Sequence, residues 1–333
     1  MRVAIIGAGL IGNKRAAAIS KSERCSVAAV ADINFERAQN LAQRFGGDAY
    51  QNWDSIGERE DVDVVVIATI NKFLAGIALF FMEKGKHVLC EKPLGRNAHE
   101  AGLILEAAKK NGVKVKTGFN HRHHPAVARG RQIVAEGQIG EICFLRCRYG
   151  HGGRPGYELE WRADKDLCGG GELLDQGVHV VDLFRWFAGD FHEVFGYIPT
   201  CFWNMQVEDN AFALFKTQRG QIASMHTSWT QWKNIFSFEV FGHDGYVIVE
   251  GLGGSYGPER LKVGKRKPEG GAPEEKITDF PQEDISWEEE WNELLQAIKE
   301  NREPLGSGWD GYQANRMLDA VYESARLGKP VNL

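Results

Sequence analysis

The 333-residue chain lacks any apolar run near the roughly 20 residues that a membrane-spanning helix needs. It also lacks a strong charge of either sign. Forty Lys and Arg against 45 Asp and Glu leave a formal charge of −5, which favours solubility and omits the basic footprint of a nucleic-acid binder. No charged leader with a cleavage site precedes the first strand-like segment, so the expectation is a cytoplasmic protein without a signal peptide. The six cysteines, Cys25, Cys90, Cys143, Cys147, Cys168 and Cys201, include no C-x-x-C pair. They read as reduced thiols, against a disulfide framework or a structural zinc. No repeat or heptad is evident. The length allows two domains with sizeable cores.

What is present begins with an apolar run at 2–6, followed at once by Gly7-Ala8-Gly9-Leu10-Ile11-Gly12. An alanine-rich helix is expected over 13–20 and a second buried strand over 26–31, ending at Asp32. Strand, glycine turn, helix, strand and acid make up the mononucleotide-binding unit. Gly7 permits the tight turn, Gly9 lets a pyrophosphate approach, and Gly12 lets the helix pack on the strand. The helix start, with Leu10 and Ile11, offers N–H groups and a positive dipole end to the phosphates. Asp32 is placed to accept from the ribose hydroxyls and to repel a 2′-phosphate, and Ile33 and Asn34 supply no cation, so NAD is favoured over NADP. Further strands at 63–68, 87–90 and 113–117 alternate with helices at 74–84 and 98–111. Ligands of open parallel sheets lie beyond the strands' carboxyl ends. Thr69, Asn71, Glu91, Lys92 and Asn120 all follow strand ends and are cofactor-site candidates, with Glu91 either holding its loop or pairing with Lys92.

The second half carries the stretch 169–182, in which spacings of four and three put Asp175, His179 and Asp182 on one helical face amid apolar residues. Two readings fit. One is a helix-stabilising carboxylate beside a satisfied core histidine. The other is an imidazole general base tuned by the carboxylate one turn away. Gly169, Gly170 and Gly171 allow a backbone or a ligand to come close just before it. The loop 151–157 with Trp161 and Arg162 reads as a substrate lid. Arg154 and Arg162 could grip an anionic group, and Tyr157 and Trp161 could stack on a sugar ring. Asn120 could also touch substrate. The histidines at 121, 123 and 124 lack zinc-enzyme spacing, so no metal is expected.

Strand-like runs at 142–149, 194–198, 210–217, 221–230, 236–242 and 246–250 predict a mostly antiparallel open sheet in an α+β domain. The stretch 251–281 reads as long hairpins or a mobile loop, and 287–300 and 309–327 as helices. Trp229, Trp232, Phe236 and Phe238 are assigned to the sheet's outer face, either covered by another subunit or forming one more core layer. The expected layout is an N-terminal doubly wound α/β Rossmann domain at 1–121, an α+β substrate and oligomerisation domain at 122–308, and a C-terminal helix and tail at 309–333 packing back towards the first domain.

Glu91-Lys92-Pro93 directly after His87–Cys90 resembles a signature of the Gfo/Idh/MocA family of NAD(P)-dependent oxidoreductases. Gly169 to Asp182 resembles its second signature, Gly118-Phe119-Asn120-His121-Arg122 its domain-junction segment, and 310–331 its C-terminal helix. The resemblance implies that Lys92 contacts the nicotinamide and the reacting oxygen, that Pro93 follows a cis peptide bond, and that Asp175 and His179 are the catalytic carboxylate and imidazole. It implies a hydride transfer between NAD and a secondary hydroxyl of a sugar, an inositol-like polyol or a nucleotide sugar, in a homodimer or homotetramer formed through the C-terminal sheet. Two other outcomes stay open, an NAD-dependent glycosidase using transient oxidation and a catalytically silent NAD-binding regulator. Two positions depart from the family pattern, Ile70 where proline often follows the strand-end threonine and Leu74 where histidine is common.

Overall fold

Six short strands form one parallel sheet: β1 (Arg2–Ile6), β2 (Ser26–Ala31), β3 (Asp48–Tyr50), β4 (Val64–Ile67), β5 (His87–Cys90) and β6 (Val115–Thr117). Their order is β3-β2-β1-β4-β5-β6, so the strand order reverses between β1 and β4, the position at which doubly wound sheets bind nucleotides. Strands β1, β2 and β4 read as nearly unbroken apolar runs because both faces are covered. Ala4, Ile6, Val65 and Ile67 pack under α3 (Asn71–Glu83) and α4 (Ala98–Asn111). Val3, Ile5, Val64 and Val66 pack with Ala16 of α1 (Leu10–Ser20), Leu41 of α2 (Phe35–Phe45), and Trp291 and Leu294 from the helix at Ser286–Glu300. Each large side chain buried this way contributes roughly 1.5–3 kcal/mol.

This computed structural model describes residues 1–280 and 283–333 and divides into two units. The first holds Met1–Asn120 and Trp287–Asn315, and the second His121–Ser286 and Arg316–Leu333.

The second unit is built on α5 (Pro125–Ala135), β7 (Ile142–Gly150), α6 (Lys165–Cys168) and α7 (Val178–Ala188). The strands that follow are β8 (Glu193–Tyr197), β9 (Asn210–Lys216), β10 (Ile222–Ser228), β11 (Ile235–Gly242), β12 (Gly245–Glu250), β13 (Arg260–Lys265) and β14 (Glu274–Asp279). The chain then continues through α8 (Ser286–Glu300), α9 (Gly308–Leu327) and β15 (Val331–Asn332). The sheet order is β14-β13-β12-β11-β7-β10-β9-β8-β15, with only β7 and β10 parallel. The stretch 251–281 supplies the hairpin β13–β14 on one sheet edge; its last residue, Pro281, lies outside the described residues.

Of the two readings of the aromatic residues, the core layer holds for three, which are not on an outer face. Trp229, Phe236 and Phe238 are buried within the chain's own core, and of the four only Trp232, 66% exposed, faces outwards. Alternation along β11 separates two faces, but the packing of Phe184 and Phe187 from α7 against Phe238 decides which is inner. The exposed face instead carries Phe144, Phe212, Leu214 and Ile222 among charged residues.

Candidate active site

The glycine turn between β1 and α1 separates its three glycines by cause. A Cβ on Gly7, at φ +98°, would stand 2.5 Å from the Ala68 carbonyl oxygen, and one on Gly12 would stand 1.9 Å from that of Gly7. Those two are glycine because the protein's own backbone occupies the space. A Cβ on Gly9 would meet nothing within 4 Å. Gly9 is also the N-cap of α1, with no side-chain cap and no acid in the first turn. An unobstructed glycine at an uncapped helix start fits a dinucleotide's pyrophosphate. Helix α1 begins at Leu10, three residues before the expected start, and Leu10 itself is 75% exposed beside half-buried Ile11. The Asp32 carboxylate accepts from the backbone N–H of Ala8 at 2.7 Å and of Asn34 at 2.9 Å, which ties the β2 end to the glycine turn. Thr69 follows β4, and Asn71 is the buried first residue of α3.

The segment after β5 is anchored from below. Glu91 is buried and accepts from Arg15 Nε at 2.7 Å, and Arg15 donates through Nη1 to Glu290 of α8 at 2.5 Å. Burial, with Glu290 close by, raises the Glu91 carboxyl above the ordinary range even with Arg15 in contact. Burial opposes the charge on Arg15, but Glu290 and Glu91 outweigh it and hold the guanidinium protonated. Glu91 therefore pairs with Arg15, a partner that sequence reading missed because it lies 76 residues away. A Cβ on Gly118 would stand 2.7 Å from Glu91 Oε2, so that glycine makes room for the pair. Lys92 is half-buried and the Lys92–Pro93 bond is cis. Asn120 is buried and opens a 3-10 turn, Asn120–His123.

In the second unit the expected helix opens with a π turn, Leu173–Gly177, before α7. Such turns recur at functional sites. The preceding glycines answer to protein, not ligand. A Cβ on Gly171 would stand 2.0 Å from the Glu208 carbonyl oxygen, and one on Gly170 2.1 Å from the Tyr322 hydroxyl. The buried Glu208 carboxylate accepts from Gly171 N at 3.0 Å, Leu173 N at 3.2 Å and the Tyr322 hydroxyl at 2.7 Å, and so caps the turn that carries Asp175. Burial raises both the Glu208 carboxyl and the Tyr322 hydroxyl above their usual values.

Asp175 alone of residues 171–180 escapes full burial, whereas His179 is 4% exposed. The His179 ring stacks on His121 with centroids 3.8 Å apart and planes 22° apart. Tyr149 lies 6.5 Å away, against Tyr256, whose hydroxyl accepts from Gln176 Nε2 at 3.0 Å. Burial pushes Tyr256 up to about 12 and Tyr149 well above its ordinary value, so both remain hydroxyls near neutral pH. Asp182, the third member of the stripe, is a buried structural partner of Arg122, with contacts of 2.8 and 2.6 Å.

The loop residues divide. Arg162 Nε lies 3.4 Å from Asp175 Oδ2, and its ring partner is Trp161, 4.6 Å from the guanidinium carbon. Arg154 is paired with Glu160 at 2.6 Å. Tyr157 departs from the expected stacking role. It is 2% exposed and packs against Trp229, Trp203, Cys168 and Val207, which leaves no open ring face for a sugar.

Known proteins were compared with this arrangement. A model described as an oxidoreductase family with an NAD-binding Rossmann fold matches residues 1–119, and the GFO/IDH/MocA C-terminal domain matches 127–248. Levoglucosan dehydrogenase of Pseudarthrobacter phenanthrenivorans is 28% identical, covering 89% of this chain and 86% of its own. A dTDP-3,4-didehydro-2,6-dideoxy-alpha-D-glucose 3-reductase of Actinomadura kijaniata is 30% identical over 68% of this chain and 67% of its own. The solved structure of levoglucosan dehydrogenase with NADH superposes with a TM-score of 0.93 at 26% identity, covering 100% of this chain and 98% of that one. The chain belongs to the Gfo/Idh/MocA family of oxidoreductases.

Proposed function

We propose that this oxidoreductase is an NAD-dependent dehydrogenase acting on a secondary hydroxyl of a sugar, polyol or nucleotide sugar, with Lys92, Asp175 and His179 as its catalytic residues. The observation that carries the reading is the placement, four residues apart across the junction of the π turn and α7, of a half-buried carboxylate, Asp175, and a buried imidazole, His179. In the first unit, Gly9 and the α1 start would hold the pyrophosphate, in a turn that Gly7 and Gly12 allow to close, and Asp32 the ribose, with Thr69, Asn71 and Asn120 beyond neighbouring strand ends. When bound, NAD supplies the acceptor for the carbinol hydrogen. A ring nitrogen of His179 takes the hydroxyl proton as the C=O bond forms. Asp175 orients that ring and favours its protonated form. Lys92 Nζ donates to the substrate oxygen and stabilises its developing charge. Arg162, beside Asp175, is the loop cation best placed to bind a polar substituent of the substrate.

The likeness to levoglucosan dehydrogenase directs the first assay to that anhydrosugar. A screen of levoglucosan, inositols, aldoses, sugar phosphates and nucleotide sugars, read as absorbance of NADH, is expected to show net NADH formation with at least one. Release of a leaving group without NADH would replace this reading with a glycosidase. Tight NAD binding with no turnover on any member would replace it with a regulator. The reading also has two copies of the chain pairing through the exposed sheet face around Phe144, Phe212, Leu214 and Ile222, which light scattering checks.

A further inference from the structure

The reading of His179 as a base leaves its stacked neighbour without a role. We propose that His121 is the positioning residue for His179, and that the two stacked imidazoles together hold a single proton over the working pH range. The inference rests on the proposed role of His179.

Both rings are buried, His121 at 5% and His179 at 4% exposure, and they overlap nearly face to face at 3.8 Å. His121 is itself clamped. Tyr149 of β7 lies 5.3 Å from it, Phe236 of β11 5.8 Å and His124 5.7 Å. A ring packed this way presents a fixed flat surface to His179 and sets the plane in which its nitrogens lie. The charged and titratable groups around the stack come from several elements. The π turn and the residue before it bring Asp175, beside Arg162, and Glu172. Helix α7 brings Asp182, neutralised by Arg122. Strand β7 brings Tyr149, and the segment after β12 brings Tyr256. The start of α5 brings His124, whose Nδ1 is 3.0 Å from Glu259. From β11 the facing residue, Phe236, carries no charge.

Glu172 and Asp175, whose charges reach Tyr149 beside the stack, favour a first proton on the pair. A second would place two like charges at stacking distance with little water to screen them, which separates the two titrations by on the order of three pH units at an effective dielectric near 20. One ring therefore stays neutral while the other gains and loses a proton.

The test labels the ring carbons of the ten histidines of the intact protein and follows the Cε1 resonances from pH 4.5 to 9. His121→Phe and His179→Asn assign the two signals. The expected result is two steps separated by more than about one unit in the wild type, with the lower-pH step lost from each single variant. Two rings that titrate independently, whichever neighbour is present, or two that never titrate, would overturn the proposal. Turnover of the fastest alcohol in the panel tests positioning. His121→Phe keeps a flat face and should retain kcat within about fivefold, whereas His121→Ala should lose kcat at least tenfold with KM little changed. His121→Leu, which fills the volume without a flat face, serves if the alanine variant does not fold. Equal kcat in the flat and non-flat variants would overturn positioning. Undiminished turnover by His179→Asn would instead refute the base reading itself, which the proton titration does not depend on.

Discussion

The contrast between Gly9 and Gly12 yields the sharpest prediction, because the two residues stand three apart in one turn and differ only in what surrounds them. In Gly12→Ala the new methyl would stand 1.9 Å from a backbone oxygen of Gly7, and neither atom belongs to a flexible side chain. Overpacking of this kind costs about 3 kcal/mol, which at about 2–4 °C per kcal/mol lowers Tm by about 6–12 °C. In Gly9→Ala the methyl meets no protein atom within 4 Å, and the backbone, at φ −74° and ψ −164°, suits any residue. Its Tm without cofactor should stay within about 2 °C of the wild type, since less unfolded-state freedom offsets any small strain. The same methyl would sit where the pyrophosphate must come close, so NAD affinity should fall at least about tenfold, or ~1.4 kcal/mol. Thermal melts with and without NAD, together with calorimetric titration, measure both quantities. An unchanged Kd in Gly9→Ala, or equal Tm losses in the two variants, would refute the assignment of Gly9 to the ligand and of Gly12 to packing.

Other expected outcomes are independent of it. Asp32→Ala should weaken NAD and narrow the preference over NADP in binding titrations, because it removes the ribose acceptor and the two backbone contacts at Ala8 and Asn34. Glu208→Leu should lower stability by about 1.5–3 kcal/mol in chemical denaturation, since it removes the one oxygen, Oε1, on which the Gly171, Leu173 and Tyr322 donors all converge. Asp209→Asn tests pH dependence. Burial opposes the Asp209 charge, yet backbone N–H groups of Cys201, Trp203 and Phe202 hold its carboxyl below the usual range. A depressed carboxyl stabilises the fold above its unfolded value of about 3.9 and loses that contribution as pH falls through the folded one. The stability gap between wild type and Asp209→Asn should thus be constant from about pH 7 to 5 and close below about pH 4.

Much of the first unit was legible because its signals are local. Buried parallel strands appear as short apolar runs, and the glycine turn and Asp32 lie within one βαβ stretch. The nine-stranded sheet was legible as consecutive strands, but not which face was inner. That choice belongs to distant partners, the rings of α7 for Phe238, Tyr149 and His121 for Phe236, and Tyr157 for Trp229. The spacing put Asp175, His179 and Asp182 on one face, and nothing local showed that Asp182 is the partner of Arg122, 60 residues away. The supports of the candidate residues, Arg15 to Glu91 and Glu290 in the first unit, and Glu208 to Tyr322 and His121 against His179 in the second, join residues far apart in the chain. A lone arginine inside an alanine-rich helix was the one visible hint of such a partner, since a buried guanidinium requires a carboxylate.

The central claim is that this protein moves hydrogen from a carbinol carbon to NAD and releases the oxidised product. An alcohol from the panel carrying deuterium at its carbinol carbon tests that directly, with the isotope followed by mass spectrometry of cofactor and product. The account predicts stoichiometric deuterium in the reduced cofactor and a ketone without it, with the rate falling at least about a hundredfold in Lys92→Met. Deuterium retained in or returned to the product, or a Lys92→Met variant as fast as the wild type, would contradict it.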